Sequence, residues 1–123
     1  SRVHQMTPDA HDQTFAAVSH VPHLLAFAQV NGLLQQAEGE AFLKLAGPGF
    51  RDFSRIAAGD PAVWRDIFSA NRVQVLAQLA LFQIALTELE KSIENNDLQA
   101  LQLLIARASQ LRAGWDMQAG DEN

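Results

Sequence analysis

Apolar residues recur along this chain with a helical period, and no alternating period-two run bounded by turns is found. Val75, Leu79, Phe82, Leu86, Leu89 and Ile93 are separated by four, three, four, three and four residues. That repeat, near 3.5 residues, belongs to a helix packed lengthwise against a partner helix. Asp60-Pro61 supplies a cap and a first-turn proline, and no breaker follows before Asn95-Asn96, so the pattern predicts a single helix of roughly thirty residues or more. Asn95-Asn96-Asp97 then predicts a turn, with Asp97 as the cap of the next helix. Leu101, Leu104, Ala108, Leu111 and Trp115 line one face of a last helix able to fold back antiparallel.

The N-terminal half is more broken. Thr7-Pro8-Asp9 signals a helix start: a side-chain acceptor, a proline where its missing N–H costs nothing, and a carboxylate at the positive end of the dipole. Pro22 must kink or end that helix near residues 19–21, and a bend there aims His20 and His23 inward. From Leu24 to Leu34 apolar residues occupy nearly every face, as in a helix buried on several sides. Glu38-Gly39-Glu40 reads as a break and Gly47-Pro48-Gly49 as a tight loop, which delivers a short helix from Phe50 to about Gly59. The only extended stretch expected is 2–6.

Length and composition narrow the class. The 123 residues suit one domain with one core, and 48% apolar with 19% charged residues is the balance of a folded protein. A net charge of −5 disfavours nucleic acid and anionic membrane surfaces, both of which select for basic patches. The absence of cysteine removes disulfides, thiolate zinc sites and thiol nucleophiles, and is compatible with the cytoplasm. The apolar stretch 21–34 carries Pro22, His23, Gln29 and Asn31 and is too short to span a bilayer. Residues 1–5 hold neither an initiator methionine nor a signal peptide's apolar region, so the sequence reads as a piece of a longer chain.

Two clusters carry candidate chemistry. His11, His20 and His23 crowd the first helices, and His20 and His23 flank Pro22. Imidazoles so placed suit acid–base work or donation to an anion. Polar residues of an ordinary helix explain them about as well. A metal site built from His11, Asp12, His20 and His23 is the weakest of the three readings, because the spacing matches no helical chelate. In the second cluster Arg51 and Arg55 share a helix face just after the glycine loop, with Asp52 beside them. Paired guanidiniums bind planar carboxylates well, although a surface ion pair with Asp52 is the plainer reading. The loop is no phosphate cradle: it lacks the third glycine, a preceding strand and a lysine. Trp64, near the start of its helix, is a packing residue or a pocket wall.

Four ordered blocks together resemble a known family: His11-Asp12; Ala16 to His23 (Ala-Ala-Val-Ser-His-Val-Pro-His); Gly49 to Ala57 (Gly-Phe-Arg-Asp-Phe-Ser-Arg-Ile-Ala); and Asp60 to Ile67 (Asp-Pro-Ala-Val-Trp-Arg-Asp-Ile) with Asn71. They are similar to the C-terminal domain of the prephenate and arogenate dehydrogenases of tyrosine biosynthesis, across roughly residues 6 to 115. The resemblance implies an all-α dimerisation domain with long helices. It also implies a parent enzyme whose N-terminal Rossmann domain holds NAD or NADP, and an oxidative decarboxylation of prephenate to 4-hydroxyphenylpyruvate, or of arogenate to tyrosine. The base that takes the hydroxyl proton belongs to that other domain, so no catalytic, cofactor or metal residue is assigned here.

Substrate-binding roles are implied for His23 and Arg55, with Trp64 as a pocket wall and Asp52 near the pocket; His20 and Arg51 complete the expected set. Pro48 inside the loop and Ser54 in place of threonine depart from the family pattern. The implied boundaries are a linker over 1–6, the helical domain over 7–116 and a flexible tail over 117–123. The implied partners are a second copy, bound through the long helices, and a small-molecule substrate, in a cytoplasmic enzyme with neither nucleic acid nor membrane. The isolated chain is expected to be inactive. The rival readings are a non-catalytic helical interaction module and a histidine-based metal-binding protein.

Overall fold

The computed structural model describes residues 6–115, and the tail expected over 117–123 and nearly all of the stretch 1–6 lie outside the described residues. Seven α-helices follow in order among the described residues: α1 (Pro8–Phe15), α2 (Val21–Leu34), α3 (Gly39–Leu43), α4 (Pro48–Ser54), α5 (Pro61–Ala70), α6 (Arg72–Glu94) and α7 (Leu98–Gly114). A π-helical turn, Ala16–His20, joins α1 to α2, and a 3-10 turn, Arg55–Ala58, extends α4. No described residue lies in a strand, and the all-helical class expected from the period is the class found. Where one core was expected, two compact units occur: one is Pro8–Leu79, and the other takes in the helical chain from Ala80 onward.

Within the first unit, Pro22 does not break the helix as expected. A proline lacks the N–H that would bond four residues back, and its ring crowds the carbonyl there. The chain answers by widening one turn: Val21 N–H reaches the Ala16 carbonyl, five residues back, and α2 continues with Pro22 in its first turn. The buried positions Ala16, Val21 and Ala26 follow this widened register. The expectation that Leu24 to Leu34 is buried on several sides is met only in part, since Ala28, Gln29 and Leu34 are exposed within this chain. The break after α2 falls at residues 35–38, and α3 begins at Gly39. A Cβ on Gly39 would collide with the Leu33 carbonyl, so this reversal needs glycine for space.

The second correction concerns the long helix. Instead of one element from Pro61 to Glu94 there are two, divided at Asn71, whose backbone leaves helical geometry (φ −110°, ψ 33°). The hydrophobic repeat gives no sign of this break, because it begins at Val75, already inside α6. What ends α5 is a polar side chain engaged with a distant segment, described below.

In the second unit the chain turns at 95–97. Asn96 takes the left-handed conformation (φ 51°), tolerable for asparagine, and the Asp97 carboxylate accepts from Ala100 N–H at 3.1 Å to cap α7. Buried Ser92 satisfies its hydroxyl by donating to the Glu88 carbonyl at 3.0 Å. The helices on either side of the turn do not close on each other. Leu86, Leu89 and Ile93 of α6 face Leu101 and Ile105 of α7 across an open groove of about 950 Å³. Outside it, Ile84 is 62% exposed, Leu103 65% and Leu111 76%. By length and composition alone α6 is apolar enough to cross a membrane. This differs from the expectation of no such segment, which rested on 21–34: that stretch is apolar but short, whereas α6 runs for 23 residues.

Asp60 caps α5 by accepting from Val63 N–H at 3.3 Å. Replacing Asp60 by alanine is expected to lower stability by about 1 kcal/mol, the usual worth of such a cap; a chemical-denaturation curve unchanged in midpoint would contradict this.

Candidate functional site

The site is organised by the indole of Trp64, in the first turns of α5. The His23 imidazole stacks on it, with ring centroids 3.7 Å apart and planes 19° from parallel. His20 meets it edge-on at 6.2 Å and Phe27 at 6.4 Å, while Phe68 packs at a tilt, 5.6 Å away. The π-turn contributes to this, because it sets the rotation of His20, at its end, and of His23, in the first turn of α2, relative to α1. Gly59 closes the other side of the indole: a Cβ there would lie 2.7 Å from Trp64 Nε1. Its φ of −72° is open to any residue, so the requirement is one of room and not of conformation. Nothing in the Gly-Asp-Pro sequence distinguishes this glycine from an ordinary helix-start residue.

Both histidines are half-buried and tied to the backbone or to a neighbour. His23 Nδ1 donates to the Ser19 carbonyl at 2.8 Å. His20 Nδ1 lies 3.2 Å from Asn71 Nδ2, and the same amide nitrogen donates to the Asp12 carbonyl at 2.8 Å. Burial pushes the His20 pKa below its ordinary value and the neighbouring His23 adds to this, while Asp12 opposes it. His11 stands apart, against Phe15 (4.6 Å) and 3.5 Å from Asp12. No group of three or more metal-ligating side chains is assembled among the described residues, which counts against the metal reading.

The arginines occupy another concavity. Arg51 and Arg55 line a pocket of about 530 Å³ with Leu43, Gly47, Phe50 and Ser54. Neither forms an ion pair with Asp52 among the described residues, where the salt bridges are His11–Asp12 and Arg65–Asp66. The plain reading, a surface ion pair of Asp52 with an arginine, therefore fails, and Asp52 stays exposed. Of the six expected residues, then, His20, His23 and Trp64 are brought together, Arg51 and Arg55 share a separate pocket, and Asp52 joins neither. Asn71, Gly59, Phe27 and Phe68 were not singled out as site residues. Only Asn71 had a signal, its place in the last of the resembling blocks.

The described residues form an all-α module with two long apolar helices, an aromatic–histidine cluster and a cationic pocket. The sequence profile of the prephenate dehydrogenase dimerization domain matches residues 7–107, and the chain belongs to that family. It is 30% identical over 111 residues to prephenate dehydrogenase of Bacillus subtilis, covering 89% of this chain and 30% of the relative. It is 31% identical over 99 residues to cyclohexadienyl dehydrogenase of Zymomonas mobilis, covering 78% and 33%. The chain thus spans about a third of the length of the curated relatives it matches. Among solved structures, it is similar to prephenate dehydrogenase from A. aeolicus in complex with hydroxyphenyl propionate and NAD+ (TM-score 0.85, 37% identity, 94% of this chain and 41% of that one). It is also similar to Synechocystis arogenate dehydrogenase (TM-score 0.85, 27% identity, 91% and 41%).

The depressed His20 pKa carries a sign. The folded state binds the proton less readily than the unfolded chain, so this histidine's contribution to stability is complete above about pH 6.5 and is lost as pH falls below it. Thermal melts from pH 7.5 to 5 are expected to fall less steeply for His20→Gln than for the parent; parallel curves would contradict this. Gly59→Ala is expected to cost about 1–3 kcal/mol by overpacking against the indole, with a changed tryptophan emission. Unaltered emission and melting temperature would show that the indole has room to give.

Proposed function

We propose that this chain is the substrate-binding and dimer-forming part of a prephenate, arogenate or cyclohexadienyl dehydrogenase, with 7–116 as the helical domain, 1–6 as a linker and 117–123 as a tail. The observation that carries the substrate assignment is the pocket of Arg51 and Arg55, two guanidiniums without a carboxylate partner among the described residues. Two such cations at one concavity favour an anion with planar carboxylates, since each guanidinium can donate two parallel hydrogen bonds. Prephenate, with two carboxylates, and arogenate fit that chemistry. Arg55 binds and Arg51 supports it, while the separate cluster of His20, His23 and Trp64 supplies a polar edge on an aromatic wall; Asp52, implied near the pocket by the resemblance, joins neither group.

The residues of this chain do not fit a nicotinamide cofactor. No strand followed by a glycine-rich turn and a helix is found among the described residues, and the glycine loop at 47–49 opens a short helix from α3. In this reading NAD or NADP is bound mainly by a nucleotide domain outside these residues, and no step of the reaction is assigned to the residues here. The isolated chain then transfers no hydride, and the complete enzyme works in the cytoplasm.

The apolar surface of the C-terminal helices supports the homodimer. Ile84, Leu103, Leu111 and Ile93 are more than half exposed, and apolar side chains so dense on two long helices are expected to be covered by a partner. A second copy covers them in this reading, which also gives the apolar α6 a protein neighbour and not a lipid one. A non-catalytic interaction module would use the same surface but would not need the arginine pocket.

In the complete enzyme, Arg55→Ala is expected to raise KM for prephenate or arogenate by about ten-fold or more, consistent with the loss of a charge-assisted hydrogen bond. Unchanged kinetics would favour the interaction module. Light scattering of the 123-residue chain at micromolar concentration is expected to give the mass of a dimer, and a monomer would remove the assembly reading.

A further inference from the structure

Two hydrogen bonds fix the ring protons of the histidine pair in opposite ways. The Asp12 carbonyl can only accept, so the atom of the Asn71 side chain that faces it at 2.8 Å is the amide nitrogen. That orientation leaves the second N–H of the same amide directed at His20 Nδ1, 3.2 Å away. A nitrogen that receives a hydrogen bond must offer a lone pair, so the proton of neutral His20 sits on Nε2. For His23 the geometry is reversed. The Ser19 carbonyl, again only an acceptor, lies 2.8 Å from His23 Nδ1, so that nitrogen carries the proton and Nε2 of the neutral ring is an acceptor.

We propose that Asn71 is a positioning residue that locks His20 in the Nε2–H tautomer, so that His20 offers a fixed neutral donor beside Trp64 while His23 offers an acceptor. The lock also resists protonation, because a proton added to His20 Nδ1 would point at the amide N–H of Asn71. Desolvation of the ring and the nearby His23 act in the same direction, with Asp12 alone opposing them. Asn71 ends α5 by this engagement: its side chain ties the α5–α6 junction to the last turn of α1 and to the end of the π-turn, 59 and 51 residues away in sequence. All the atoms involved lie in the Pro8–Leu79 unit. The use of the pair, donation to an anionic or carbonyl oxygen by His20 and acceptance from a hydroxyl or amine by His23, rests on the substrate reading above. The tautomers do not.

The test reads the ring nitrogens directly. Long-range proton–nitrogen NMR correlation of the ¹⁵N-labelled 123-residue chain, without any ligand, at pH 7.5 is expected to show His20 protonated at Nε2 and His23 at Nδ1. Asn71→Asp, of the same shape but only an acceptor, is expected to move the His20 proton to Nδ1 and shift its titration midpoint upward, because a carboxylate now faces the ring. Asn71→Ala is expected to give a mixture of His20 tautomers with His23 unchanged. A His20 proton found on Nδ1 in the parent chain, or a tautomer that stays the same in both variants, overturns the proposal. The parent measurement decides the matter even if a variant does not fold. Because no substrate is present, failure here is separate from failure of the dehydrogenase reading, which the Arg55→Ala kinetics address.

Discussion

The contact between the Trp64 indole and the His23 imidazole organises the N-terminal unit. Stacked rings 3.7 Å apart leave no room for water, and the indole can take that position only because Gly59 has no side chain to displace it. Phe27 and Phe68 pack against the same ring and against each other at 6.3 Å, so α2 and α5 share one aromatic cluster. Such pairs contribute roughly 0.5–1.5 kcal/mol each beyond their burial. In a unit whose buried apolar side chains are as small as alanine and valine, that is a large part of what holds the helices in place.

The π-turn and the Asn71 junction serve this cluster. A helix with strict 3.6-residue geometry cannot pass a proline without losing a bond, and the widened turn at Ala16–His20 absorbs the insult while rotating His20 and His23 toward Trp64. Wide turns of this kind are frequent at functional sites. At the other end of α5, Asn71 exchanges helical backbone geometry for two side-chain hydrogen bonds to distant partners. Both irregularities deviate from what local preference alone would favour, and both lie next to the histidines.

The C-terminal helices follow a different logic. Their apolar residues are arranged in register for lengthwise packing, yet within this chain Leu86 and Ile93 remain more than half exposed beside an open groove. The cap at Asp97 and the left-handed Asn96 set the turn, and the polar Ser92 is satisfied locally, so each helix is well formed without the groove being closed. Membership in a dimerization-domain family agrees with a surface of this kind.

Helix content, the caps at Asp60 and Asp97, the turn at 95–97 and the amphipathic seam were legible in the sequence, because capping, glycine and proline geometry and the helical period act over a few residues. The family was legible for the same reason: it is carried by short blocks such as Ser-His-Val-Pro-His and Gly-Phe-Arg-Asp-Phe-Ser-Arg. What the sequence could not decide was set by contacts between residues far apart. Asn71 looks like any helix residue until the Asp12 carbonyl and His20 are brought beside it. Gly59 looks like a helix-start residue until an indole lies on it. Asp52 looks like the ion-pair partner of an arginine until the fold places Arg51 and Arg55 along one pocket and leaves the carboxylate outside. Local propensities fixed which segments are helices; only the tertiary structure decided which polar atoms meet, because a hydrogen bond or a ring stack needs positions good to a few tenths of an ångström, which no pattern along the chain can specify.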